Sequence, residues 1–173
     1  MRDTVLLSHN AMRWAILAAA LWAIVQGWHG YLFGRTWRRS DFFAELTLTT
    51  LLNLQVMLGL MVYLRSTLVR PMFSSFGYAT SALPIAFFTL LHPLAMISSV
   101  AGAQAIYSIA KRASSDQSKM RWTAWGYTCV TGVILTAIPW PFLPYGRPLI
   151  PQSMQSLQKI HLPENDELDP TYR

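Results

Sequence analysis

The sequence predicts an all-α integral membrane protein, with four transmembrane helices in an up-down bundle and an extended C-terminal tail. Three observations predict it. The 173 residues are 53% hydrophobic and 13% charged, against about 25% charged in an ordinary soluble domain. The charges are clustered, so residues 14–34, 46–64, 71–110 and 122–146 hold no Asp, Glu, Lys or Arg. A spanning helix needs roughly 20 mostly apolar residues, and these windows supply four. Finally, Trp14, Trp37, Trp122, Trp140 and Tyr145 fall near the ends of the windows, as in an aromatic belt at a membrane–water interface.

The transmembrane domain is expected over residues 1–142, with spans at about 5–33, 42–65, 83–110 and 119–138. The first stretch begins almost at Met1, is too long for a signal peptide and has no small-residue cleavage site, so it is expected to stay as helix 1. Asp3 or Thr4 is its expected cap and Gly34 its stop. The basic segment 35–39 forms the first loop. Ser40 is expected to cap helix 2, with Asp41 and Glu45 in its first turns, where the helix dipole favours negative charge. Residues 66–81 are Ser-rich and aromatic, and read as an interfacial loop with room for a short surface helix. Helix 3 starts near Leu83 with Pro84 in its first turn. Pro93 removes the bond that the Thr89 carbonyl would accept, so a kink is expected there. Helix 4 comes after a short polar loop and ends at Pro139-Trp-Pro-Phe142.

The tail, residues 143–173, is Pro-rich and then acidic, with too few apolar residues to build a core. It is expected to dock on a partner subunit. The net charge of +6 does not indicate nucleic acid, because Lys and Arg sit at helix ends, where lipid head groups lie. The expected partners are other membrane subunits and lipids. Four spans put both ends of the bundle on one side. The 1–2 and 3–4 loops carry seven Lys and Arg against five near the spans on the opposite face. The positive-inside rule then places those loops in the cytoplasm and the termini in the periplasm of a bacterial inner membrane.

Ionisable residues inside a span are functional candidates. His9 and His92 lie on helices that run in the same direction, and their depths differ by only roughly 6 Å. A haem b needs axial ligands on two facing helices with the porphyrin between them, which this pair permits. Arg13, one turn after His9, lies on the same face and suits a haem propionate, or equally snorkels to lipid phosphate. Met96 is a second candidate ligand on the His92 stripe, with packing as its simpler role. The simpler roles for the histidines are a backbone or water hydrogen bond for His9 and interhelical hydrogen bonding for His92. Asn53 and Gln55 are the obvious partners, about 200° apart on their helix, so only one can face His92. Similar groups would serve a quinone ring. His29 lies about 30 Å from His9 along one helix and cannot share its porphyrin; it reads as a solvated loop histidine, or as the ligand of a chlorophyll or second haem. His161 reads as surface. The single Cys129 excludes a c-type haem and an internal disulfide, and reads as a small buried hydrophobe. No Gly-rich phosphate loop, catalytic triad, or pair of carboxylates within a span is present.

The segments His9-Asn-Ala-Met-Arg-Trp14, Leu54-Gln-Val-Met-Leu-Gly59, Leu91-His-Pro-Leu-Ala-Met96 and Ile138-Pro-Trp-Pro-Phe142 together resemble a family of small four-helix bacterial membrane proteins labelled cytochrome b-like. The resemblance covers about residues 5–145 and leaves out the tail. It implies haem b on His9 and His92, the histidines inside matching motifs, while His29 falls outside them. The expected function is a b-type haem subunit of a respiratory or photosynthetic electron-transfer complex. The alternative is a cofactor-poor accessory subunit that contacts lipid, quinone or chlorophyll.

Overall fold

The computed structural model describes residues 2–147, with side chains from Thr4 onward. The tail from residue 148, its docking on a partner, and His161 lie outside the described residues. Among the described residues the chain is helical, with no strand. Four long helices account for it: α1 (Arg2–Leu32), α2 (Arg39–Arg65), α3 (Leu83–Arg112) and α4 (Asp116–Ala137).

Each helix end has a local cause. α1 already runs at Arg2, so Thr4 lies inside the helix and does not cap it. Gly34 ends it at φ +62°, and the Arg35 N–H reaches back to the Gly30 carbonyl at 3.2 Å, the glycine-terminated helix end. Arg38, not Ser40, caps α2. The choice is made by Asp41, whose carboxylate accepts the Arg38 N–H at 2.7 Å and two bonds from the Arg35 guanidinium at 2.6 and 2.7 Å. Those bonds push the Arg35 pKa further above its ordinary value. Residues 70–80 form two short 3-10 turns, Arg70–Phe73 and Phe76–Thr80. Ser115 caps α4 by accepting the Ser118 N–H at 3.2 Å.

The expected disturbance at Pro93 is present, but as a π-turn over Phe87–Leu91, in which the His92 N–H bonds the Phe87 carbonyl. The Thr89 carbonyl, deprived of its partner by Pro93, accepts the Tyr63 hydroxyl from α2 at 2.8 Å. One extra residue in a turn rotates the remainder of the helix by about 100°, so this turn helps set the direction in which His92 points.

α1 packs on α2 and α4, α3 packs on α4 and less extensively on α2, and α1 and α3 face each other across the diagonal. Small residues let the backbones approach: Ala20, Ala23, Ala44, Ala103 and Ala124 are fully or almost fully buried. The interior is completed by Ile16, Leu48, Leu52, Tyr127 and Ile134. The outer faces carry Leu21, Val25, Met57, Leu60, Leu94 and Ile97, all more than half exposed. α1, α2 and α3 are long and apolar enough to cross a membrane; α4 is not. Its first turns hold Asp116, Lys119 and Arg121, and Thr123, Thr128, Thr131 and Thr136 lower its apolarity further on. Cys129 is exposed on the outside of this helix, correcting the expectation of a buried thiol.

The two loops at one end are tied together. The Trp37 N–H donates to Asp116 Oδ2 at 3.0 Å, and Lys119 lies 3.4 Å from the other oxygen. The Trp37 bond, with Lys119 beside it, holds the Asp116 carboxyl below its ordinary pKa. The depressed value means that the tie is present above the ordinary carboxylate range and is lost as pH falls through the lowered one. Hydrogen exchange at the Trp37 amide, corrected for intrinsic rate, should therefore be slow at neutral pH and fast in acid. Asp116→Ala should make it fast throughout.

Candidate functional site

The helices bring His9 and His92 together inside the bundle, at the end where α1 and α3 begin. Their ring centroids are 6.3 Å apart, with planes at 75°. Each ring is positioned from a neighbouring helix. His92 Nδ1 lies 2.7 Å from the Ala137 carbonyl at the end of α4. That carbonyl has no intrahelical donor left, so it takes the ring N–H and leaves Nε2 with its lone pair. A backbone carbonyl behind a histidine fixes tautomer and orientation in this way at many metal sites. His9 lies against Gly59 of α2, where an added Cβ would stand 3.2 Å from its Cε1. Gln55 Nε2 donates to the His9 carbonyl at 3.0 Å. His9 Nδ1 and Gln55 Oε1 are buried and have no hydrogen-bond partner among the described residues.

A narrow crevice of about 30 Å³ opens beside the pair, lined in part by Arg13, Leu52, Gln55, His92, Met96 and Ile134. Arg13 is 8% exposed, with its guanidinium 5.3 Å from the centre of the Trp14 ring. It lies within the bundle beside His92, where the sequence allowed a position at the lipid surface. Met96 is half-buried along the same crevice. Of the two amides on α2, Gln55 faces the site, while Asn53 is exposed and donates to the Thr49 carbonyl of its own helix at 2.8 Å. His29 lies in α1 at the far end, exposed, and accepts from Arg35 Nε at 3.3 Å. It is a helical residue with a protein partner, which corrects its reading as a loop histidine.

The segment after α4 closes the site from outside. Tyr145 stacks on Phe87 with centroids 3.8 Å apart, Phe87 lies 5.8 Å from His92, and the Arg147 guanidinium sits 5.1 Å above Phe88.

Two imidazoles facing each other across a bundle can hold a metal atom between them. Two metal–nitrogen bonds of about 2 Å, together with two half-widths of an imidazole, require about 6 Å between ring centres. The spacing of the ring centres is compatible with an iron between them; one ring has Nδ1 tied to a carbonyl, and the other has a buried nitrogen with no hydrogen-bond partner among the described residues. The crevice of about 30 Å³ is far too small for the macrocycle, which would enter only if α1 and α3 moved apart and the two rings were set anew. Among the described residues there is no cluster of three or more His, Cys, Asp or Glu side chains for a non-haem metal ion.

Sequence reasoning passed over Glu45, Thr123 and Tyr127, which form a second buried polar group between α2 and α4. The spacing of Asp41, Glu45 and Thr49 along one face of α2 was the available signal. No known protein family, characterised protein or solved structure matches this chain.

Proposed function

We propose that this chain is a membrane subunit that carries a b-type haem between α1 and α3, with His9 and His92 as axial ligands, in a respiratory or photosynthetic electron-transfer complex. The observation that carries the reading is the 6.3 Å separation of two imidazoles brought inward from diagonal helices. The His9 Nδ1, without a hydrogen-bond partner among the described residues, and the Ala137 carbonyl behind His92 support it. A haem, when bound, supplies one-electron transfer; the protein supplies ligands, orientation and a low-dielectric shell. Here Ala137 and Gly59 hold the two rings in position, Arg13 offers a cation to a propionate, and Tyr145 and Phe87 exclude water from the outer end. The bundle sits in a bacterial inner membrane. Its apolar outer faces support insertion, and the basic 1–2 and 3–4 loops support an orientation with those loops in the cytoplasm. α4 crosses with the others, with the hydroxyls of Thr123, Thr128 and Thr136 turned to backbone carbonyls.

The tight crevice favours a second reading, a cofactor-poor accessory subunit that packs among larger subunits, lipids, quinone or chlorophyll, with the histidines as interhelical contacts. A reduced-minus-oxidised visible spectrum of the full chain, purified from membranes with ample haem, separates the two. The first reading expects a sharp α band, lost in His9→Ala and His92→Ala while the helical circular dichroism is retained. A featureless spectrum from the folded wild type overturns it and leaves the accessory role.

A further inference from the structure

α2 and α4 enclose a carboxyl group that the haem reading does not use. Glu45 is 1% exposed and lies one turn beyond Asp41. Asp41 is satisfied by Arg35 and the Arg38 N–H, and its side chain is fully buried. Glu45 has no ion pair among the described residues. Its Oε1 meets the Thr123 hydroxyl of α4 in a short hydrogen bond, and the same Thr123 oxygen lies 2.9 Å from the Lys119 carbonyl.

Proton counting distinguishes the two charge states. A threonine hydroxyl carries one hydrogen and cannot donate to both oxygens. The Lys119 carbonyl is an acceptor only. If Thr123 donates to Lys119, the proton between Thr123 and Glu45 must come from the carboxyl. An ionised Glu45 would instead be a buried charge facing one hydroxyl and no cation, an arrangement that costs several kcal/mol. The hydroxyl of Tyr127 of α4 is buried near Thr49, one turn along α2 from Glu45, and closes no hydrogen bond of ordinary geometry among the described residues.

We propose that Glu45 is a reversible proton-binding site inside the bundle. In the acid state the Glu45 O–H donates to Thr123 Oγ, and the Thr123 O–H donates to the Lys119 carbonyl. On release, the proton leaves toward the end of the bundle that carries Arg35 and Asp41, the nearer end of α2. The Thr123 hydrogen then swings to Glu45 Oε1 and donates to the carboxylate. Both states are hydrogen-bonded, which an apolar cage would not allow. The titratable and charged groups around the site are Asp41, with Arg35 held on it, on the α2 side, Tyr127 on α4, and Tyr107 of α3 beside Tyr127. At this level α1 contributes Ala23 and Gly27 to the interior.

Infrared spectroscopy of the full chain in bilayers, titrated through neutral pH in H₂O and D₂O, tests the site. A carbonyl stretch from an undissociated carboxylic acid is expected at neutral pH, shifting in D₂O and lost in Glu45→Gln. Thr123→Val removes the donor to the ionised state and should move the loss of the band upward by about one pH unit or more. Should Glu45→Gln fail to fold, a hydrophobic carbodiimide, which attacks undissociated carboxyls, is applied to the wild type. An adduct mapped to Glu45 that disappears as pH rises supports the site. A wild type with no acid band at neutral pH, or a band that survives Glu45→Gln, overturns it.

Discussion

Asp41→Ala should destabilise the protein by about 3–5 kcal/mol, the cost of leaving a buried charge without its partner. Arg35 and Asp41 are paired through two bonds of 2.6 and 2.7 Å, with side chains 11% and 0% exposed. Arg35 also donates to the Gln26 carbonyl and amide oxygen, so it connects the end of α1 to the start of α2. Removal of Asp41 leaves a guanidinium that cannot lose its proton and also frees the Arg38 N–H. The discriminating case is the double replacement Arg35→Met with Asp41→Leu. Apolar groups of similar volume often replace a buried pair at little cost, so the double variant should unfold near the wild type in a detergent or denaturant titration. If the single and double variants lose equal stability, the pair is acting through something other than its charges.

That pair also shows what was legible in the sequence. Asp41 was readable as an acidic residue near a helix start, because capping and dipole rules act within one turn. Its partner was not, because Arg35 reaches it only once Gly34 has turned the chain. The same division runs through the candidate site. Apolar spacing and the charge-free windows are local signals and gave the long helices almost to their ends. The depth of His9 and His92 came from counting residues at a fixed rise. Their rotation did not, because it depends on the π-turn at Phe87–Leu91 and on which faces of α2 and α4 carry small residues. Glu45 was masked for a related reason. Three residues into the expected helix 2, it reads as a charge at a helix end, and only the approach of Thr123 and Tyr127 from α4 encloses it. The exposure of Cys129 is equally a matter of rotation: Tyr127 and Val130 point inward, and the cysteine between them does not.

Gly27→Val should separate α1 from α4 and, with it, disturb the histidine pair about 27 Å away along α1. A Cβ on Gly27 would stand 2.7 Å from the Ala124 nitrogen and 2.9 Å from its Cα. These are backbone atoms of a packed helix and cannot swing aside, so overpacking here should cost about 1–3 kcal/mol or more. Two neighbouring glycines serve as controls. At Gly30 the added carbon meets only the Met120 side chain, which can repack, so Gly30→Ala should cost less than Gly27→Ala. Gly132 has nothing within 4 Å, and Gly132→Ala should gain up to about 1 kcal/mol from helix propensity alone. Rigidity transmits the effect to the site. α1 is one uninterrupted helix from Arg2 to Leu32, so a wedge under Gly27 tilts the whole rod and carries His9 away from His92. On the haem reading, Gly27→Val should weaken the α band although the substitution touches neither ligand, while Gly132→Ala leaves it at full strength. If instead the band is unchanged in a folded Gly27→Val protein, α1 is not held to α4 at this crossing, and the packing that aligns the two imidazoles must come from α2.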